Sequence, residues 1–122
     1  MLGENAFEQL VSRALDDLPE WVQQHMDNVA VMVAAWPSPA QLRVVGTTRG
    51  RLLLGLYEGV PLTHRGRGYQ LIPPDRITLF QGPLEQVAAS VPDLVRQIRR
   101  TVIHEVAHHY GLSDEEIARL MQ

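Results

Sequence analysis

The sequence predicts an α+β fold, and two observations carry that prediction. Residues 4–26 and 90–121 repeat apolar side chains at helical spacing, while the middle holds short apolar runs bounded by glycine and proline. Helices come first, then strands, then helices again, with no βα alternation, and that order is the α+β pattern. No internal repeat and no low-complexity segment interrupts it. The length of 122 residues fits one domain, 1–122, built on one core.

Each element has its own signal. Phe7, Leu10, Val11, Ala14, Leu15 and Leu18 predict an amphipathic helix over 4–18. Pro19 interrupts it and suits the first turn of a short second helix, Glu20 to Met26. Asp27-Asn28 predicts a turn. The apolar, partly β-branched run Val29–Ala35 predicts a buried strand that Pro37-Ser38-Pro39 ends. Residues 37–50 carry prolines and glycines and read mostly as loop, with Leu42, Val44 and Val45 offering brief pairing at most. Leu52–Tyr57 predicts a second strand, stopped by Gly59-Val60-Pro61, and 61–74 reads as a surface loop. Arg76–Phe80 alternates, which predicts a third strand with one solvated face and therefore an edge strand. Gly82-Pro83 closes it and 83–89 suits a short helix.

The last third is helical. Ser90 with Asp93 resembles a capping box, with Pro92 tolerated in the first turn. Leu94, Val95, Ile98, Val102, Ile103, Val106 and Tyr110 keep helical spacing, so Tyr110 reads as a core residue. Gly111 is placed to end this helix in a left-handed conformation. Ser113 with Glu116 forms a second capping box and opens a final helix with Ile117, Leu120 and Met121 on one face.

Composition excludes several classes. Apolar residues make up 45%, a globular proportion. The net charge of −3 and a pI of about 5.9 argue against a general nucleic-acid binder. The short basic groups Arg65/Arg67 and Arg96/Arg99/Arg100 read as solvated faces. There is no cysteine, so any metal site must use His, Asp or Glu. The opening MLGENAFEQL lacks the basic start and apolar block of a signal peptide, and the longest apolar stretch, Val29–Trp36, is too short to span a bilayer. The expectation is a soluble cytoplasmic protein with no nucleic-acid or membrane partner.

The chemistry is concentrated in HEVAHHYGLSD, residues 104–114. His104 and His108 lie four apart on a predicted helix, so both imidazoles point the same way and can reach one zinc ion. Glu105 flanks that face and is placed to act as a general base without being a ligand. A catalytic zinc takes three protein ligands and keeps a position open. Gly111 lets the chain turn sharply after the second histidine, and the carboxylate of Asp114 can then fold back as the third ligand.

Plainer roles exist for each of these residues. The two histidines also suit a helix surface, Glu105 is a good helix former, and Gly111 stops the helix in either case. Asp114 also suits a helix start, where a carboxylate is favoured, and Glu115 and Glu116 offer the same donor nearby. His109 points about 100° away from His108 and reads as a packing neighbour. His25 and His64 stand alone and do not read as ligands; His64 sits in the glycine-rich loop, where it could contact substrate.

HExxHxxGxxD resembles the zincin metallopeptidases, with aspartate where many metzincins carry a third histidine. The chain as a whole is similar to the small bacterial minimal zincins, over FEQLVSRALDDLP, LLGLYEGVPLT, PPDRITLFQGPL and TVIHEVAHHYGLSDEEI. The resemblance implies an N-terminal helix, a small mixed β-sheet of three to four strands, an active-site helix beneath it and a short C-terminal helix. It also implies zinc held by His104, His108 and Asp114, with Glu105 as the catalytic carboxylate and a peptide or protein as substrate. Met121 falls inside the predicted last helix, so no methionine turn is expected after Asp114, and no second domain is expected to deepen a cleft. Two other readings therefore stand beside the peptidase: a zinc-stabilised binding module without proteolytic activity, and a hydrolase of a non-peptide bond. For an oxyanion donor, Tyr57, His64, Arg65 and Tyr69 are equal candidates.

Overall fold

The computed structural model describes residues 1–45, 52–59 and 74–121. The order is α1 (Glu4–Asp16), α2 (Glu20–Gln24), β1 (Val29–Ala34), α3 (Pro39–Val45), β2 (Gly55–Glu58), β3 (Asp75–Phe80), α4 (Gln81–Val87), α5 (Val91–His109) and α6 (Asp114–Leu120). This is the predicted α+β arrangement, with a small mixed sheet in the order β1-β3-β2. β1 runs parallel to β3, while β2 runs antiparallel to it.

The core forms between one face of the sheet and α1 and α5. In register, Val31, Ile77 and Tyr57 lie across one row, and Val33, Leu79 and Gly55 across the next. Ile77 and Leu79 are fully buried there, against Phe7, Ala14, Ile98, Val102 and Val106 from the helices. α5 buries its apolar stripe at Leu94, Ile98, Thr101, Val102, Ile103, Val106 and Ala107. Its start is fixed as the sequence suggests, with the Asp93 amide donating to Ser90 Oγ at 3.1 Å. The Asp93 carboxylate does not return to Ser90; it accepts from the Ala89 amide at 2.8 Å instead.

Three expectations are corrected. Residues 39–45 form the helix α3 rather than loop, and Leu42, Val44 and Val45 lie on it rather than in a strand. The cause is a capping box: the Gln41 amide donates to Ser38 Oγ at 3.1 Å and the Ser38 amide donates to Gln41 Oε1 at 2.9 Å, with Pro39 in the first turn. Second, β3 is the central strand and not an edge. Thr78, which suggested a solvated face, is only 5% exposed because Met32 and Leu56 flank it in register on either side. Third, Tyr110 is not in the core; it is half-exposed at the end of α5, with its ring 4.2 Å from that of His25. The second strand also begins later than predicted, at Gly55, and α4 begins earlier, at Gln81. The predicted surface loop, with His64, Arg65 and Tyr69, lies outside the described residues apart from Pro74.

Candidate metal centre

The last two turns of α5 carry His104, Glu105 and His108. His104 and His108 face the same side, with ring centroids 5.7 Å apart. Gly111 then takes φ +85°, a left-handed conformation that costs other residues about 1–2 kcal/mol. It closes the helix with Gly111 N–H donating to the His108 carbonyl at 3.0 Å and Leu112 N–H donating to the Ala107 carbonyl at 2.9 Å. The chain reverses there, and α6 starts at Asp114.

The predicted capping box sets that start. The Glu116 amide donates to Ser113 Oγ at 3.2 Å, and the Ser113 amide donates to Glu116 Oε1 at 3.3 Å. Glu116 is thereby occupied in the cap, and Asp114, the first residue of α6, is the carboxylate that reaches His108. Asp114 Oδ1 and His108 Nε2 lie 2.7 Å apart.

His104, His108 and Asp114 each offer a donor atom, and these atoms lie within 4.8 Å of one another. Two ligands on a tetrahedral zinc are separated by about 3.4 Å, so small side-chain rotations bring all three onto one ion. Two imidazoles and a carboxylate are a donor set that zinc accepts, and the half-exposed His108 and exposed Asp114 leave the solvent side open. Burial lowers the pKa of His104, and His108 and Arg100 lower it further against the opposing charge of Asp114. The shift favours neutral His104, the form that binds a metal.

Glu105 is oriented by the sheet. The Tyr57 amide donates to Glu105 Oε1 at 2.9 Å, across forty-eight positions of chain. That approach depends on Gly55, two residues earlier on the same face of β2, where a Cβ would sit 2.6 Å from Thr101 Cγ2 of α5. Burial raises the Glu105 pKa above the ordinary carboxylate range, and it outweighs the lowering by the Tyr57 amide and by His108.

Other residues singled out by the sequence have structural places. The Tyr57 hydroxyl donates to Asp75 Oδ2 at 2.7 Å, and its ring stacks on His109 with centroids 3.9 Å apart. His109 therefore packs behind the cluster, as its angle on the helix predicts. A cleft of about 440 Å³ opens over His104, Glu105, His108 and Asp114, with Leu52–Gly55 along one side and Gln97, Arg100 and Thr101 along the other. The sequence alone assigns Arg100 to a solvated face. Its spacing of four from His104, the same as between the two histidines, is the signal that places it on the cleft side.

Residues 26–122 match the family described as zincin-like metallopeptidase. A solved structure of a conserved hypothetical protein from the bacterium T. thermophilus superposes with a TM-score of 0.53 at 24% identity, covering 97% of this chain and 99% of that one. At that identity the likeness speaks for the fold alone. No curated protein matches the chain. Among the described residues, no helix is long and apolar enough to cross a membrane.

Proposed function

The chain belongs to the zincin-like metallopeptidase family, and from that premise we propose that it is a zinc-dependent peptidase with Glu105 as general base and His104, His108 and Asp114 as metal ligands. One observation carries the reading: the three donor groups converge beside a carboxylate that the sheet holds in place, on the wall of an open cleft. A purely structural zinc site has no use for such a carboxylate.

Zinc, when bound, supplies a Lewis acid and brings the pKa of water towards neutrality. Glu105 accepts a proton from the attacking water and later delivers it to the leaving amine. With Oε1 anchored to the Tyr57 amide, Oε2 is the oxygen left to move the proton. In the metal-free chain burial raises its pKa, which makes it a stronger base there than an exposed glutamate.

The peptide pairs with the outer edge of β2, which lies at the end of the sheet among the described residues, whereas β3, read from the sequence as an edge strand, is central. Antiparallel residues alternate between facing the partner strand and facing away. The Leu54 carbonyl accepts from Phe80 N–H at 2.9 Å, so Leu54 faces β3. Tyr57 N–H turns outward to Glu105, and Gly55, in the same phase, presents its N–H and C=O to the cleft. An extended substrate can add there as a further strand, its scissile carbonyl over the histidines. Tyr57 does not serve as oxyanion donor in this arrangement, because its hydroxyl is bonded to Asp75.

The test measures bound zinc and cleavage of a peptide library by the wild type and by Glu105→Gln. Stoichiometric zinc in both proteins, with cleavage only in the wild type, is expected. Stoichiometric zinc without cleavage by the wild type favours the binding module or the non-peptide hydrolase, and no zinc in the wild type overturns the reading.

A further inference from the structure

We propose that Arg100 forms an anion subsite in the cleft and selects peptides carrying a carboxylate about two residues from the scissile bond. This names a substrate class for the zinc-peptidase reading above and rests on it.

Three observations carry the inference. The first is placement. Arg100, His104 and His108 are spaced by four along α5, which makes one row with about 6 Å between successive residues. All three line the same cleft, facing the Leu52–Gly55 segment. An extended chain advances about 3.3 Å per residue, so the Arg100 position on the helix lies about two residues along from His104.

The second observation is the guanidinium's lack of a partner. Arg76 pairs with Glu58, Arg96 with Asp93, and Arg99 donates to the Asp17 carbonyl. Arg100, one step from Arg99 in sequence, makes no hydrogen bond or ion pair with any described residue. It is exposed and available to a ligand.

The third observation is charge. Among the described lining residues Arg100 is the one permanent cation. Glu105 and Asp114 are the carboxylates of the wall, and both are committed to the centre. Gln97 and Thr101 are neutral, and the Thr101 hydroxyl already donates to the Gln97 carbonyl at 2.7 Å. A planar guanidinium accepts a carboxylate through two parallel hydrogen bonds, which lysine cannot reproduce. The carboxylate can belong to an acidic side chain or to the C-terminus of a short peptide.

The test titrates the zinc-loaded wild type and Arg100→Gln by calorimetry with succinic monohydroxamate and with its uncharged carboxamide counterpart. Glutamine keeps the exposed helix position foldable. The wild type is expected to bind the carboxylate compound about tenfold more tightly than the carboxamide, and Arg100→Gln is expected to bind both alike. Equal affinity in the wild type, or a preference that survives Arg100→Gln, overturns the subsite and leaves the zinc site standing. Binding of neither compound overturns both. Cleavage rates then separate the two sources of the carboxylate: an amidated peptide with glutamate near the scissile bond, a neutral peptide with a free C-terminus, and a neutral amidated peptide. One of the first two is expected to be cleaved faster than the third by the wild type but not by Arg100→Gln; equal rates for all three in the wild type count against the subsite.

Discussion

Gly55→Ala places a methyl group 2.6 Å from Thr101 Cγ2 and 3.2 Å from the Thr78 carbonyl oxygen. Non-bonded carbons rest at about 3.5–4.0 Å, so β2 and α5 must part by roughly 1 Å or Thr101 must turn. Turning is resisted, because Thr101 is β-branched in a helix and its hydroxyl is bonded to the Gln97 carbonyl at 2.7 Å. Overpacking of this kind costs about 1–3 kcal/mol. For a chain of this length that is a fall in Tm of about 3–5 °C per kcal/mol. Parting the two elements also stretches the 2.9 Å bond from the Tyr57 amide to Glu105, so cleavage falls along with stability. Urea denaturation of Gly55→Ala, Thr101→Ser and the double variant reads the effect. Thr101→Ser removes Cγ2 and keeps the hydroxyl, so the double variant is expected to recover most of the loss from Gly55→Ala. What remains is the tight contact with the Thr78 carbonyl. A Gly55→Ala protein within about 0.5 kcal/mol of wild type, or single effects that merely add, refutes the close approach of β2 to α5.

Two further outcomes follow from the same geometry. Ser113→Ala removes the cap of α6 and is expected to cost about 1 kcal/mol in thermal denaturation, with zinc affinity weakened up to about fivefold because Asp114 opens that helix; unchanged zinc affinity would detach Asp114's position from the cap. In the metal-free protein, burial holds the Glu105 pKa above its ordinary value near 4.5, so the folded state binds that proton more tightly than the unfolded chain does. The associated stability is fully present below pH 4.5 and is lost as pH rises through the folded pKa. Metal-free Glu105→Gln, which keeps an acceptor for the Tyr57 amide, should therefore be more stable than wild type at neutral pH and lose that advantage on acidification; a variant less stable at neutral pH contradicts the assigned burial.

Much of the centre was legible because it is local. The four-residue step from His104 to His108, the left-handed Gly111 and the Ser113 box each depend on a few neighbouring residues, and the structure brings the predicted donors together. The periodicity of α5 was legible for the same reason, although Tyr110 shows that one more helical step does not ensure burial at a helix end. Strand order was not legible. Thr78 and its neighbours alternate like an edge strand, and only pairing with Met32 and Leu56 makes β3 central. Helix α3 was readable in principle, since Ser38-Pro39-Ala40-Gln41 is a capping box with proline in the first turn, but its prolines also suit a loop. The bond from the Tyr57 amide to Glu105 joins distant segments, and no spacing in the sequence announces it. Arg100 lay between the two cases: its spacing marks the face, but only the fold shows that a cleft lies over it.

The central claim is that His104, His108 and Asp114 share one zinc ion beside Glu105. Anomalous diffraction at the zinc edge from crystals of the zinc-loaded protein tests it directly. The expected result is a single peak per chain at coordination distance, about 2.0–2.2 Å, from a ring nitrogen of each histidine and from an Asp114 oxygen, with Glu105 outside that shell. A peak that includes Glu105 or omits Asp114, or one placed away from both histidines, contradicts the account.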